Sequence, residues 1–96
     1  MKTTIDLAMD LLEKKIKNNF AGSVKIQISD EGSIIVDESG IRKSNEPARC
    51  TMTATAKTFK ALLMGNTKVQ VAIMSKKLEI KGDIKFAIEL GKHFSW

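Results

Sequence analysis

Residues 48–65 have the sequence ARCTMTATAKTFKALLMG. In its first half, small or soft apolar residues alternate with polar ones, which is the period-two pattern of a strand with one buried face. From Ala56 onward the period lengthens, so that Phe59, Leu62 and Leu63 fit a short helix that ends at a glycine. This stretch therefore predicts a strand that leads directly into a helix, in a domain that contains both.

The region before this stretch predicts one helix and two further strands. Apolar residues spaced three and four apart indicate a helix over about residues 4–20. Residues 24–29, VKIQIS, alternate as a half-buried strand, and a tight DEG turn joins them in a hairpin to the β-branched run at 33–38. Residues 38–47 contain the only proline together with serine, glycine and asparagine, which predicts a loop.

The region after the stretch predicts a helix, a strand and a last helix. Residues 67–74 suit a short helix that is apolar on almost every side, and residues 77–81, KLEIK, alternate as a strand. Asp83 is a good cap for the last helix. The element order is α-β-β-β-α-α-β-α, with room for one extra short strand. It predicts one α+β domain over residues 1–96, with a mainly antiparallel sheet covered on one face by helices.

The last two helical segments have more apolar surface than a one-sided helix needs. A helix that is buried along one side requires a single apolar stripe. The last helix instead has two stripes, one of Ile84, Ala87, Ile88, Gly91 and Phe94 and the other of Phe86 and Leu90. Either the helices pack tightly together or an apolar cavity lies between them and the sheet. The methionines favour the cavity slightly, because their flexible side chains adapt to variable contents.

The composition limits the class of protein. With 96 residues, 43% of them apolar, the chain can form one core but not two. Cys50 is the only cysteine, which excludes an intramolecular disulfide, so we expect a cytoplasmic protein. We find neither the unbroken apolar run of a secretory signal nor the roughly 20 apolar residues that span a bilayer.

The formal net charge of +5 raises the question of an acidic partner. The basic residues lie in short groups beside acidic ones, which predicts an ordinary solvated surface. The five aromatic residues fall on predicted helices or at their ends, whereas a sheet that binds RNA has aromatics on its strands. We therefore expect no nucleic-acid partner.

The residues that catalysis or metal binding would need are sparse. Cys50 and His93 are the two candidate nucleophile or base residues, and nothing in their spacing brings them together. No pair of histidines or cysteines has the spacing of a zinc site, and no glycine-rich motif forms a phosphate cradle. The sequence therefore predicts no catalytic residues, no metal and no cofactor.

Four short motifs occur in order between Ala48 and Leu90. They are the ARCTMT strand, a helix with the pattern F-x-x-L-x-x-G, a Q-x-A segment and the strand KLEIKGD. In this combination the chain resembles the sterol carrier protein type-2 family, in which A-D-C-T-I-T, F-x-x-[IL]-x-x-G, N-P-Q-x-A-F and K-L-K-I-x-G-[DN] are common. The resemblance implies a five-stranded sheet, a hydrophobic tunnel between sheet and helices, and a fatty acid, acyl-CoA, sterol or phospholipid ligand.

Three positions depart from the family pattern. Val69 stands where the proline of N-P-Q is usual, Lys76 replaces the glycine that commonly precedes K-L-K-I, and Ile34 stands where many members have tryptophan. We therefore expect a more helical tunnel mouth and do not transfer a ligand preference. Gln70 matches the glutamine of the motif, and two roles stay open for it: contact with a lipid head group, or a cap on a neighbouring backbone group.

These features together predict a non-catalytic domain that holds a lipid or fatty acyl ligand in an apolar tunnel. Ile73 and Met74 are expected to contact the acyl chain, Gln70 the head group, and Ala72→Trp is expected to fill the tunnel. The full set of predicted lipid-binding residues is Met52, Phe59, Leu63, Gln70, Ile73, Met74, Phe86 and Leu90.

Two other functions stay open. The chain could be a protein-interaction or accessory module that presents lipid or quinone precursors to a partner enzyme, and a tight complex formed without lipid would favour this hypothesis. A basic nucleic-acid binder is the weaker alternative, for which DNA retention should be salt-sensitive. We expect a monomer or weak homodimer, with at most a transient contact with a membrane surface.

Overall fold

The computed structural model describes residues 3–16 and 20–92, and within these ranges it contains four helices and five strands. Their order along the chain is α1 (Thr4–Ile16), β1 (Ser23–Ile28), β2 (Gly32–Asp37), β3 (Gly40–Lys43), β4 (Cys50–Ala54), α2 (Ala56–Leu63), α3 (Val69–Met74), β5 (Glu79–Gly82) and α4 (Ile84–Lys92).

The strands form one mixed sheet in the order β3-β2-β1-β4-β5. The pairs β1–β2, β2–β3 and β4–β5 are antiparallel, and β1–β4 is parallel. The α+β class, the mainly antiparallel sheet and the five strands implied by the family resemblance are thus confirmed.

The prediction of a loop over residues 38–47 is wrong for Gly40–Lys43, which form β3. Gly40 has a φ of +120°, which allows the chain to turn directly after β2, and its Cα is paired with that of Asp37. Arg42 then reaches back to Asp37, with 3.1 Å between Nη2 and Oδ2. A four-residue edge strand with one large apolar residue, Ile41, is too short to show a period-two pattern.

The segment between β3 and β4 crosses the face of the sheet opposite the helices. Because β2 and β1 lie between these two strands, the connection has to pass over both. Ser33 Oγ donates to the Ser44 carbonyl (2.8 Å), and Lys25 Nζ donates to the Asn45 carbonyl (3.3 Å). Ile35 shares this face and is only 1% exposed. The crossing segment explains why three consecutive residues of β2 are buried instead of alternating.

The helices lie on the other face, as predicted. There α1 contacts β2 and β3, whereas α4 contacts β1, β4 and β5. The side chain of Thr3 caps α1 by accepting a hydrogen bond from the Asp6 N–H at 3.2 Å. The buried apolar stripe of α1 consists of Ile5, Ala8, Leu12 and Ile16.

The helix predicted in the second half of residues 48–65 is confirmed as α2. Thr55 is its N-cap, and the Thr55 side chain accepts from the Thr58 N–H at 3.3 Å. Phe59 and Leu62 are buried, at 1% and 0% exposure, whereas Leu63 is only partly buried against the core. The core face of α2 therefore contains Phe59 and Leu62.

Candidate lipid-binding cavity

A cavity of about 490 Å³ opens between α3, β5 and α4. This volume falls in the range of pockets that hold small organic molecules, which is roughly 300 to 1,000 Å³. Most of the side chains that line it are aliphatic. The lining residues are Val69, Gln70, Ile73, Ile80, Ile84, Ala87, Ile88, Gly91 and Lys92.

One stripe of α4 forms the longest wall of the cavity. Its members are spaced three and four apart, so they lie on one side of the helix over roughly 12 Å of its axis. Asp83 stabilises the start of α4 by accepting a hydrogen bond from the Lys85 N–H at 3.3 Å. The small residues Ala87 and Gly91 lie between larger ones in this stripe and leave space beside the helix.

Helix α3 forms the opposite wall. Val69 and Ile73, four residues apart, line the cavity together with Gln70. Ala72 is not among the lining residues; it is 2% exposed and belongs to the hydrophobic core. The expectation that Ala72→Trp fills the tunnel is therefore wrong, because a larger side chain there would enter the core.

The mouth of the cavity exposes isoleucine side chains. Ile84 and Ile88 on α4 are 52% and 58% exposed, and Ile73 on α3 is 37% exposed. These three large apolar side chains line the cavity and are at the same time exposed to water. Apolar side chains in such a mouth are available to contact a ligand.

Of the described residues, Gln70 and Lys92 contribute polar side chains to the lining. Lys92 lies in the last turn of α4 and makes an ion pair with Glu89, with 3.3 Å between Nζ and Oε2. This pair is exposed, at 68% and 50% for the two side chains, so its strength is limited by water. An amide and an ammonium group beside an aliphatic cavity match a ligand with an apolar body and a polar or anionic end.

A second depression, of about 480 Å³, differs in its chemistry. Its wall includes the charged residues Asp37, Glu38 and Arg49. Phe86 lies here too, with its ring against Gly22, where a Cβ would overlap the ring. The Phe86 ring thus packs α4 onto the start of β1.

A family model described as "SCP-2 sterol transfer family" matches residues 6–95 of the chain. The chain belongs to this family. The family resemblance found in the sequence is thereby confirmed. No curated protein sequence gives a significant match.

Solved structures of the same family have the same fold. The chain is 17% identical to the sterol carrier protein-2 of Aedes aegypti, solved as a complex with palmitate, with a TM-score of 0.84 and 99% and 97% of the two chains covered. It is 16% identical to the Aedes aegypti sterol carrier protein-2 like-3, with a TM-score of 0.78 and 98% of each chain covered. The chain is 20% identical to the ubiquinone synthesis protein UbiJ-SCP2, with a TM-score of 0.60 and 85% and 72% of the two chains covered.

The predicted lipid-binding residues fall into three groups in this SCP-2 family fold. Gln70 and Ile73 line the cavity. Met74 is 83% exposed on α3 outside it. The remaining residues are in the core or packed against it: Met52, Phe59, Leu63, Phe86 and Leu90. Contact between these residues and a lipid stays a prediction.

The sequence reasoning missed the stripe of α4 that lines the cavity. Both stripes of this helix were identified, but the predicted lipid-binding residues included Phe86 and Leu90 and no member of the stripe that lines the cavity. Leu90 in fact packs into the core at 0% exposure. The small residues Ala87 and Gly91 were the available signal, since a stripe that combines large and very small side chains leaves a gap.

Cys50 and the acidic residues are the groups within residues 3–16 and 20–92 that could coordinate a metal ion. No group of three His, Cys, Asp or Glu residues in these ranges could hold a metal ion. Cys50 is buried, and burial raises the pKa of its thiol. His93 lies outside the described residues. In the same ranges no helix has the length and apolar content to span a bilayer.

Proposed function

We propose that this chain is a non-catalytic lipid-binding domain that holds a fatty acyl chain or a similar apolar ligand between α3, β5 and α4. The observation that carries the proposal is the aliphatic cavity of about 490 Å³ whose mouth exposes Ile84 and Ile88. Leaving such side chains in water is unfavourable, by about 25 cal/mol for each Å² of apolar surface, and a bound acyl chain would cover them.

The polar end of the ligand is assigned to Gln70 and Lys92. A carboxylate or phosphate would accept hydrogen bonds from the amide and from the ammonium group, which are the polar side chains of the lining. Lys92 would have to leave Glu89, and the exposure of that ion pair makes the exchange inexpensive. The palmitate in the Aedes aegypti relative supports a ligand of this chemical class.

The absence of catalysis is part of the proposal. Cys50 is a buried thiol whose raised pKa keeps it protonated at neutral pH, which is the form that does not attack electrophiles. Among residues 3–16 and 20–92, those that line the cavity include no carboxylate, thiol or imidazole. A protein with these properties binds its ligand and releases it unchanged, as a carrier does.

Gly91→Leu tests the proposal by filling the cavity. Gly91 lies within α4 and lines the cavity, so the leucine side chain would occupy ligand volume. Replacing a helical glycine also removes a cost of about 1 kcal/mol, so we expect folding to be unaffected or improved. Titration with a fluorescent fatty acid should show at least about tenfold weaker binding, because the leucine side chain takes up volume that the acyl chain would occupy.

Gly91→Ala is the matched control. It gives the same gain in helix propensity but adds one methyl group, so binding should stay close to that of the wild type. Thermal melting of the same samples would separate loss of ligand from loss of fold. Unchanged binding by folded Gly91→Leu protein would show that the lipid is not in this cavity.

A second candidate function is an accessory module that presents a lipid or quinone precursor to a partner enzyme. The fold shared with the ubiquinone synthesis protein UbiJ-SCP2 favours it. A stable complex with such an enzyme that forms in delipidated protein, and that Gly91→Leu leaves intact, would support this function over that of a free carrier.

A further inference from the structure

The net charge of the chain is confined to one part of the sequence. Residues 1–55 contain eight Lys and Arg and eight Asp and Glu, which balance. Residues 56–96 contain eight lysines and three acidic residues, so the entire charge of +5 comes from this part. The three acidic residues, Glu79, Asp83 and Glu89, are each in an ion pair with a lysine within the same part.

The exposed apolar side chains occupy the same part of the chain. Among the described residues, the large hydrophobic side chains that are exposed all lie within residues 64–88. On α3, Val71 and Met74 are 53% and 83% exposed and do not line the cavity. They are three residues apart and therefore neighbours on one side of the helix. We call this pair the outer edge of α3.

Two lysines follow the outer edge directly. Lys76 and Lys77 are exposed, and neither takes part in an ion pair within residues 3–16 and 20–92. Lys76 has a φ of +60°, which turns the chain sharply after α3 and keeps both lysines close to the end of the helix. Apolar side chains beside these lysines form a surface that matches a partner with both an apolar phase and negative charge.

We propose that the outer edge of α3 and Lys76–Lys77 dock on the surface of an anionic phospholipid bilayer. Val71 and Met74 enter the boundary between head groups and acyl chains, while the lysine ammonium groups contact lipid phosphates. This docking places α3, and with it Ile73 at the cavity mouth, against the source of the ligand. The inference rests on the proposed function, since it names where the lipid is taken up or delivered.

The composition of this surface favours a membrane over a protein partner. Protein interfaces are depleted of lysine in their buried centre, because the ammonium group is costly to desolvate. Membrane-surface segments are instead rich in lysine, whose long side chain lets the charge stay with the head groups. Each lysine near an anionic bilayer adds about a fivefold gain in partition at low salt.

Sedimentation with vesicles tests the docking. Wild-type protein is mixed with vesicles of phosphatidylcholine alone or of phosphatidylcholine with phosphatidylserine. We expect binding to the phosphatidylserine vesicles that falls as salt is added. Val71→Gln should weaken it about fivefold, and Lys76→Asn with Lys77→Gln should weaken it by about tenfold or more. Asparagine is chosen at position 76 because it tolerates a positive φ.

Matched variants from elsewhere in the chain serve as controls. Met64→Gln removes an apolar side chain of similar exposure, 57%, from the end of α2. Lys14→Gln with Arg49→Gln removes two positive charges from the charge-balanced part. Both controls should retain vesicle binding within about twofold. If they lose as much as the α3 variants, the docking surface is not the outer edge of α3.

Fatty-acid titration without vesicles separates the two proposals. The Val71 and Lys76–Lys77 variants should bind the fluorescent fatty acid as the wild type does. Wild type that binds the fatty acid but not the phosphatidylserine vesicles would overturn the docking and leave the carrier function standing. Vesicle binding without fatty-acid uptake would overturn the carrier function instead. A concentration-dependent dimer that Val71→Gln abolishes, with no vesicle binding, would show that a second copy covers this edge.

Discussion

Two regions of the molecule, the sheet with α1 and α2 on one hand and α3 with α4 on the other, differ in how far their apolar side chains are exposed to solvent. In the first region the strands and α1 turn their apolar residues into the core, where Leu12 and Ile34 are 0% exposed. In the second region Val71, Met74 and Ile88 are each more than half exposed. Both regions nevertheless contribute side chains to one hydrophobic core. The first region thus buries its large apolar side chains, whereas the second leaves part of its apolar surface exposed, and we infer that this exposed part serves contacts outside the protein.

The largest expected effect is the loss of stability from a truncation in the first region. Leu62 is 0% exposed in the core, so Leu62→Ala should lower the free energy of unfolding by about 2 to 5 kcal/mol through lost burial and the cavity left behind. Denaturant unfolding followed by circular dichroism measures this change.

Ile88→Ala is the corresponding truncation in the second region. Because Ile88 is 58% exposed and alanine is the better helix former, its effect on stability should stay within about 0.5 kcal/mol. Equal losses of stability for Leu62→Ala and Ile88→Ala would remove the distinction between the two regions.

A smaller effect is expected at the edge of the sheet, in acid. The Arg42 guanidinium, which donates to Asp37 at 3.1 Å, lowers the pKa of that carboxyl. The pair therefore contributes stability above the ordinary aspartate pKa of about 3.9, and this contribution is lost as the pH falls through the lowered pKa. Asp37→Asn should flatten the pH dependence of the melting temperature below about pH 4.

Glu38→Gln is the control for this titration. Glu38 is the exposed neighbour of Asp37, so Glu38→Gln removes a nearby negative charge while keeping the Arg42–Asp37 pair, and it should resemble the wild type. A pH profile that is the same for Asp37→Asn and wild type would show that the Arg42 pair contributes no stability. Salt should also reduce the difference, because both side chains are partly exposed.

Local periodicity was sufficient to predict most of the fold. The change of period at Ala56, the alternation in β1 and the stripe of α1 each depend on neighbours within a few residues. The sequence allowed for a fifth strand but did not locate β3, because its hydrogen bonds to β2, and not its own side chains, define it. The position of Lys76 is instructive: it stands where the family commonly has glycine, and it adopts the positive φ that glycine reaches at least cost.

The site was harder to predict than the fold. The sequence identified the apolar excess of α3 and α4 but not which side of each helix faces the sheet. Ala72, Ile73 and Met74 are consecutive, yet one is in the core, one lines the cavity and one is in solvent. These three positions depend on how α3 is rotated about its axis relative to β5 and α4. That rotation is a tertiary property, which residue types alone do not determine.

The central claim is that a lipid lies in the cavity between α3, β5 and α4. Nuclear Overhauser contacts between isotope-labelled palmitate and the methyl groups of the protein test it most directly. The account predicts contacts from the acyl chain to Ile73, Ile84 and Ile88, and none to the core residues Val24 and Ile34. Contacts confined to the core methyls, or none at all from palmitate that is demonstrably bound, would contradict it.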